Sequence, residues 1–458
     1  MTFTADAHRA VTSRAPEPGW ITKRRSDAFE RFGAAGLPTE ADDLWKYSGI
    51  EDLDLASYAP WRAAWSGSFV ETLQERARSI ASAFGERSAL LFTFGGQLVG
   101  AEGNDPDRGT SIFSDVELGE EPGRILTRRD AFDDLHDAFV LDGIHFEVKS
   151  KHVVDQPIVV VHFVGVTDQW TESTLAPAFF PHLRIHAGAS SELKVIEVIT
   201  GFADEPGRGL VLPATELDVE DNAHVTYAYL QLLPPGWKHL GVQAARVGRD
   251  ATLQCFSASL GASTGRVRAD AELLGESSEA VMVAGFLGSD DQVHDLRTIQ
   301  DHVAPRTRSQ LLCMGAVLDE SRSAYVGLTR VRNGAHGADA FQTNRNLVLS
   351  EGAHADSVPN LDIQENDVRC SHASTVGPID EDQRYYLESR GIDPEVAERL
   401  IVLGFFRDLS LRVPVKSVGR WFVDAVSRRF SAHDPDAVES TKAVESTTAV
   451  ENTESGES

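Results

Sequence analysis

The sequence predicts a mainly-β protein with helical segments at both ends. Three observations carry this reading. From residue 144 to about 348, short apolar or β-branched runs follow one another, separated by Gly, Asp, Asn or Ser. No long amphipathic helix interrupts them, as the crossovers of a βαβ sheet would require. On either side of this stretch the apolar residues recur at three-to-four spacing instead, which is the mark of helices.

Taken in order, residues from about 20 to 95 read as largely helical. Residues 71–84 (ETLQERARSIASAF) set Leu73, Ala77, Ile80, Ala81 and Phe84 on one side. Residues 37–55 are polar and acidic around the anchor Leu44-Trp45-Lys46-Tyr47, whose aromatics read as packing residues. Short strands begin near Ser88. Residues 101–115, rich in Gly, Asp and Ser, read as loop, and 130–139 as a helix. The β region then contributes 158–164, 183–186, 193–199, 225–233, 251–257 and 281–286. Two all-β solutions fit these runs: a stacked sandwich, or a β-helix whose terminal coils need covers. No strict period decides between them.

Past Pro359 helices return at 380–390 and 394–409. Asp393 is suited to an N-cap with Pro394 at the first helical position, and Gly391 to terminating the helix before it. Val396, Leu400, Ile401 and Leu403 form an apolar stripe that continues into Phe405 and Phe406. Such a stripe either packs on the β unit or faces a partner. Beyond Ala432 the chain carries seven acidic residues, one lysine and no aromatic, the composition of a disordered acidic tail.

Charge narrows the function classes. The 458 residues carry 70 acidic and 43 basic side chains, a formal charge of -27. That field repels phosphate backbones and anionic membranes, so neither nucleic acid nor a membrane is expected as partner. The plainer account of the bias is a saline-adapted host or a GC-rich genome. The first residues show no signal-peptide pattern, and no apolar run approaches the length of a membrane span. Three scattered cysteines, Cys255, Cys313 and Cys370, suit a reducing cytoplasm.

The chemistry-bearing residues are few. Cys370-Ser371-His372 sets a thiol and an imidazole two positions apart, so an extended strand points both to one face, within reach of one metal ion. Asp362, Glu365 and Asp367 add carboxylates nearby. Cys255 and Cys313 sit among apolar neighbours and read as core. His294, His302, His336 and His354 are spread through the β region and read as surface or hydrogen-bonded residues. There is no GxxxxGK[ST], GxSxG or HExxH, nor a four-cysteine cluster motif, so any ATP must be bound by another subunit.

The run Asn344-Arg345-Asn346-Leu347-Val348-Leu349-Ser350-Glu351-Gly352-Ala353 is similar to the SufB/SufD family of iron–sulfur cluster assembly proteins. The likeness continues through Ala355-Asp356-Ser357-Val358-Pro359-Asn360-Leu361-Asp362-Ile363 and Asp367-Val368-Arg369-Cys370-Ser371-His372-Ala373, and reaches Gly404-Phe405-Phe406. The opening Pro38-Thr39-Glu40-Ala41-Asp42-Asp43-Leu44-Trp45-Lys46-Tyr47 looks like the SufD form. This resemblance implies a right-handed parallel β-helix over residues 144–365. It implies a largely helical region over 1–143, a helical ATPase-binding domain over 366–432, and leaves 433–458 as the acidic tail. It further implies a non-catalytic scaffold in a SufBCD-type complex that assembles clusters and passes them to apoproteins.

A SufB-like subunit is expected to pair through the β-helix, and a SufC-like ATPase to bind the C-terminal helices through Pro394, Val396, Leu400, Leu403, Phe405 and Phe406. The isolated chain could also form a homodimer. Cys370 and His372 match the residues implicated in assembly at the SufB–SufD interface, where iron or a cluster is held transiently rather than as a resident cofactor. The rival readings are a SufB-like paralogue that itself holds the nascent cluster, and a β-helix enzyme acting on polysaccharide.

Overall fold

The computed structural model describes residues 2–12, 17–61, 67–103, 110–118, 120–166, 170, 174–203 and 207–433. The acidic tail after His433 lies outside them. The β runs form a parallel solenoid, so the open choice between sandwich and coil falls to the coil. The chain alternates between a twelve-stranded and a ten-stranded sheet, and from Ala214 onward each strand pairs in parallel with the strand two ahead of it up to the last coil. Thr264 pairs with Val293 in one sheet and Glu279 with Arg308 in the other, so a coil there advances 29 residues. From Lys238 to Thr264 the step is 26, and from Arg322 to His354 it is 32. This drift hides the period in the sequence.

The polar separators between runs are the corners of the coils. Asn222, Asp250, Asp290 and Asp319 adopt left-handed φ angles of 53–58° there, a conformation that short polar side chains tolerate best after glycine. Between corners, alternate residues face the interior, and Leu253, Leu311 and Val317 are buried among them.

At its N-terminal end the solenoid finishes in antiparallel strands. Ala89–Phe94 pairs antiparallel with Gln97–Glu102, and Gly143–Val148 with Thr110–Ser114, ending both sheets. The segment 101–115 was expected as loop; its residues 110–114 are instead a strand, because pairing with Gly143–Val148 supplies the ladder that its Gly- and Asp-rich flanks conceal. Tyr58–Pro60 pairs in parallel with Ala176–Ala178, and the continuous run of strands extends from residue 89 to 377, past the limits drawn from sequence on both sides.

Four helices, α1 (Ala5–Thr12), α2 (Gly19–Ala34), α3 (Gly67–Ser82) and α4 (Ala131–Phe139), belong to the N-terminal region. Every residue of α4 is buried, including Asp133, Asp134 and Asp137. Arginines meet these acids: Arg268 Nη2 lies 3.0 Å from Asp133, Arg31 Nε 2.8 Å from Asp134, and Arg124 bonds Asp137. The Trp45 anchor is held from the same sheet. Arg266 stacks 3.8 Å from the Trp45 ring centroid, its Nη2 donates to the Leu44 carbonyl at 2.7 Å, and Arg297 Nη2 donates to that of Lys46 at 2.5 Å.

Three more helices follow the last strand: α5 (Glu381–Ser389), α6 (Pro394–Ser410) and α7 (Lys416–His433). As expected, Asp393 caps α6, accepting from the Glu395 N–H at 3.2 Å, with Pro394 in the first turn. Phe422 of α7 packs on Phe256 and Phe406, with ring centroids 5.4 and 5.6 Å apart. Gly285 makes room for this contact, because a Cβ there would meet Leu409 and Phe422 at 2.7 Å. Among the described residues no helix is long and apolar enough to cross a membrane.

Removing one partner of a buried ion pair strands the other, so Arg268→Met is expected to destabilise the fold by about 3–5 kcal/mol, read from urea unfolding. A pH effect also follows. Burial lowers the imidazoles of His239 and His302 to about 4. Both stay neutral in the fold while unfolded histidine, near 6.5, takes up protons. Stability should therefore fall as pH drops from 6.5 to 4, by roughly 3 kcal/mol per imidazole. Asp142, whose burial raises its carboxyl to about 7, opposes this over the same range. His302→Gln should flatten the pH dependence of the urea midpoint in that window.

Candidate functional site

The last coil consists of His354–Ile363 in one sheet and Arg369–Gly377 in the other. Each pairs with the preceding coil only, and each is the terminal strand of its sheet. Leu361, Ile363 and Val376 stand 38–43 % exposed along this rim. An uncovered strand edge with apolar side chains is a template for another chain.

Cys370 and His372 lie on the final strand. Directly paired residues of a parallel ladder point the same way, and Cys370 pairs with Ala340, His372 with Gln342. Ala340 and Gln342 are buried in the solenoid interior. The thiol and the imidazole therefore share the inward-facing side of the terminal coil, at its open mouth. Cys370 is half-buried against Val331, Ala335 and Ala338, whereas His372 is exposed. Burial raises the Cys370 thiol and the Asp339 carboxylate adds to the effect, so binding a metal here must release a proton.

The other candidates do not join this pair. Asp362 accepts from Arg330 Nε at 3.0 Å, and Glu365 accepts the N–H groups of Gly334 and Asn366 at 3.2 and 2.8 Å. Cys255 and Cys313 are buried in the core, as expected, with thiols pushed up to about 12 by burial. His294 is buried with Nδ1 3.0 Å from Ser259 Oγ, and His302 sits between Thr307 and Ser309 at 2.8 Å each. His336 and His354 are exposed. Among the described residues no group of three or more His, Cys, Asp or Glu is arranged to hold a metal ion.

The six α6 positions divide. Val396, Leu403 and Phe406 are buried in the chain's own core, Leu400 and Phe405 are half-buried, and Pro394 is exposed. The most exposed apolar side chains of the C-terminal helices are ones the sequence reading passed over: Tyr385 and Tyr386 of α5, and Leu411 just after α6, at 72, 57 and 82 %. A tyrosine pair in the otherwise polar sequence EDQRYYLES was the available signal.

Comparison with known proteins bears on this arrangement. Residues 170–405 match the family described as "SUF system FeS cluster assembly, SufBD core domain". An iron–sulfur cluster assembly SufBD family protein of Mycobacterium tuberculosis is 32% identical over 305 residues, covering 65% of this chain and 74% of the relative. The iron–sulfur cluster assembly protein SufD of Escherichia coli is 26% identical over 393 residues, covering 85% and 89%. SufD of Bacillus subtilis is 28% identical over 296 residues, covering 64% and 66%. A family match spanning the coils from residue 170 through the rim and into α6, together with these relatives, makes this chain a member of the SufB/SufD family of iron–sulfur cluster assembly proteins, of the SufD-like kind.

Proposed function

We propose that this chain is the SufD-like scaffold subunit of a SufBCD-type complex, in which clusters are built and passed to apoproteins while a SufC-like partner hydrolyses ATP. The observation that supports it most is the uncovered terminal coil with Cys370 and His372 at its mouth. A SufB-like solenoid set against that rim would continue the ladders and cover Leu361, Ile363 and Val376. A thiolate and an imidazole are two ligands suited to iron, and the rest of a coordination sphere would come from the partner. Iron and sulfide are then cargo at a joint between subunits.

In this reading the ATPase binds the C-terminal helices. With Val396, Leu403 and Phe406 committed to the fold, its contact surface would be Pro394, Leu400 and Phe405 extended by Tyr385, Tyr386 and Leu411. The sequence has no phosphate-binding loop of its own, which makes this a docking role.

Two experiments test the proposal. Affinity purification from the host should recover one SufB-like and two SufC-like chains per copy of this one; recovery of the chain without either would sink it. Within the reconstituted complex, Cys370→Ser and His372→Ala should each lower cluster yield by roughly tenfold or more, since metal sites respond on that scale even to outer-sphere changes. Full yield in both variants would leave the subunit an architectural role only.

A further inference from the structure

The interior changes character toward the open end. One inward column runs from Cys255 through Met282 and Leu311, then becomes polar at Gln342, directly beneath His372. Gln342 donates to Thr329, which donates onward to Gln300 Oε1 at 3.3 Å. Beside it, Asn344 Nδ2 donates to Ser357 Oγ at 2.8 Å, and Ser374 Oγ donates to the same oxygen at 2.7 Å. Ser374 is exposed. A chain of hydroxyls thus leads from solvent at the rim to Asn344 inside.

Among the described residues several polar atoms in this nest have no hydrogen-bond partner: Asn344 Oδ1, Asn346 Oδ1 and Nδ2, and Gln300 Nε2. Their residues are 1, 3 and 0 % exposed. Buried amides of native proteins are almost always satisfied, by ordered water where protein does not reach. The lining sets the ligand class. Neutral amides and hydroxyls supply donors and acceptors together, with no inward carboxylate to hold a cation and no inward cation to hold an anion.

We propose that the interior beneath the terminal coil is a site for ordered water, lined by Asn344, Asn346 and Gln300 and reached from Ser374 through Ser357. His372 and Ser374 share the inward side of one strand. The site stands on the unmet amides alone and does not depend on iron binding by Cys370 and His372.

Magnetic relaxation dispersion of water oxygen-17 on the full chain tests this. The double variant Asn344→Leu/Asn346→Leu should lose the dispersion amplitude of long-lived internal water, while Asn346→Ser, which keeps the site polar, should retain it. Equal amplitude in the parent and the leucine variant overturns the proposal. If the leucine variant does not fold, a high-resolution crystal structure of the parent decides. Discrete water within hydrogen-bond distance of Asn346 supports the site, and a dry interior overturns it.

Discussion

The constraint on which everything else rests is the hydrogen-bond demand of a parallel strand edge. Each coil satisfies its inner neighbour and leaves a row of N–H and C=O groups for the next, so at the end of a solenoid that row falls to a covering strand, another chain or water. At the N-terminal end two short antiparallel strands, Gln97–Glu102 and Thr110–Ser114, meet it. At the other end nothing in the described chain does. The chemistry-bearing pair Cys370 and His372 lies on that terminal parallel edge, so the end of the coil stack and the candidate site coincide.

The N-terminal region is tied to the solenoid both by an apolar cluster, in which Phe3, Trp45, Phe132 and Phe139 meet Phe180, Leu210 and Leu212, and by charge. Arg268 reaches Asp133, while Arg266 and Arg297, each paired with Asp295 of their own sheet, donate to the backbone carbonyls around Trp45. Buried pairs of this kind add little net stability compared with apolar packing, but they punish misplacement severely, because any shift strands a charge. Arginine suits the task through its planar fork, which reaches carboxylates and carbonyls at once. A covering held this way has one register on the sheet.

Much of the fold was legible. The strands, the burial of Cys255 and Cys313, the packing role of Trp45 and the cap of α6 all follow from local pattern, because each depends on neighbours close in sequence. The coil itself was not legible from the residues, since corners of varying length move the step between 26 and 39 residues. The burial of helix α4 was not legible, because Asp133 and Asp134 are matched by Arg268 and Arg31, which are far away in sequence. For the site, the spacing of Cys370 and His372 revealed a shared face, but which face requires the register with Ala340 and Gln342. The stripe on α6 was visible, yet its division between core and surface was not, because Phe405 and Phe406 differ only in what the sheet and α7 place against them.

The two ends of the solenoid also differ in kind. Joining two solenoids rim to rim would consume the terminal parallel edge of each and leave outward the short antiparallel strands Gln97–Glu102 and Thr110–Ser114. A stack of parallel coils open at both ends would instead add members indefinitely and become a fibre. The antiparallel turn of the two strands at the start of the solenoid is what interrupts parallel stacking at that end.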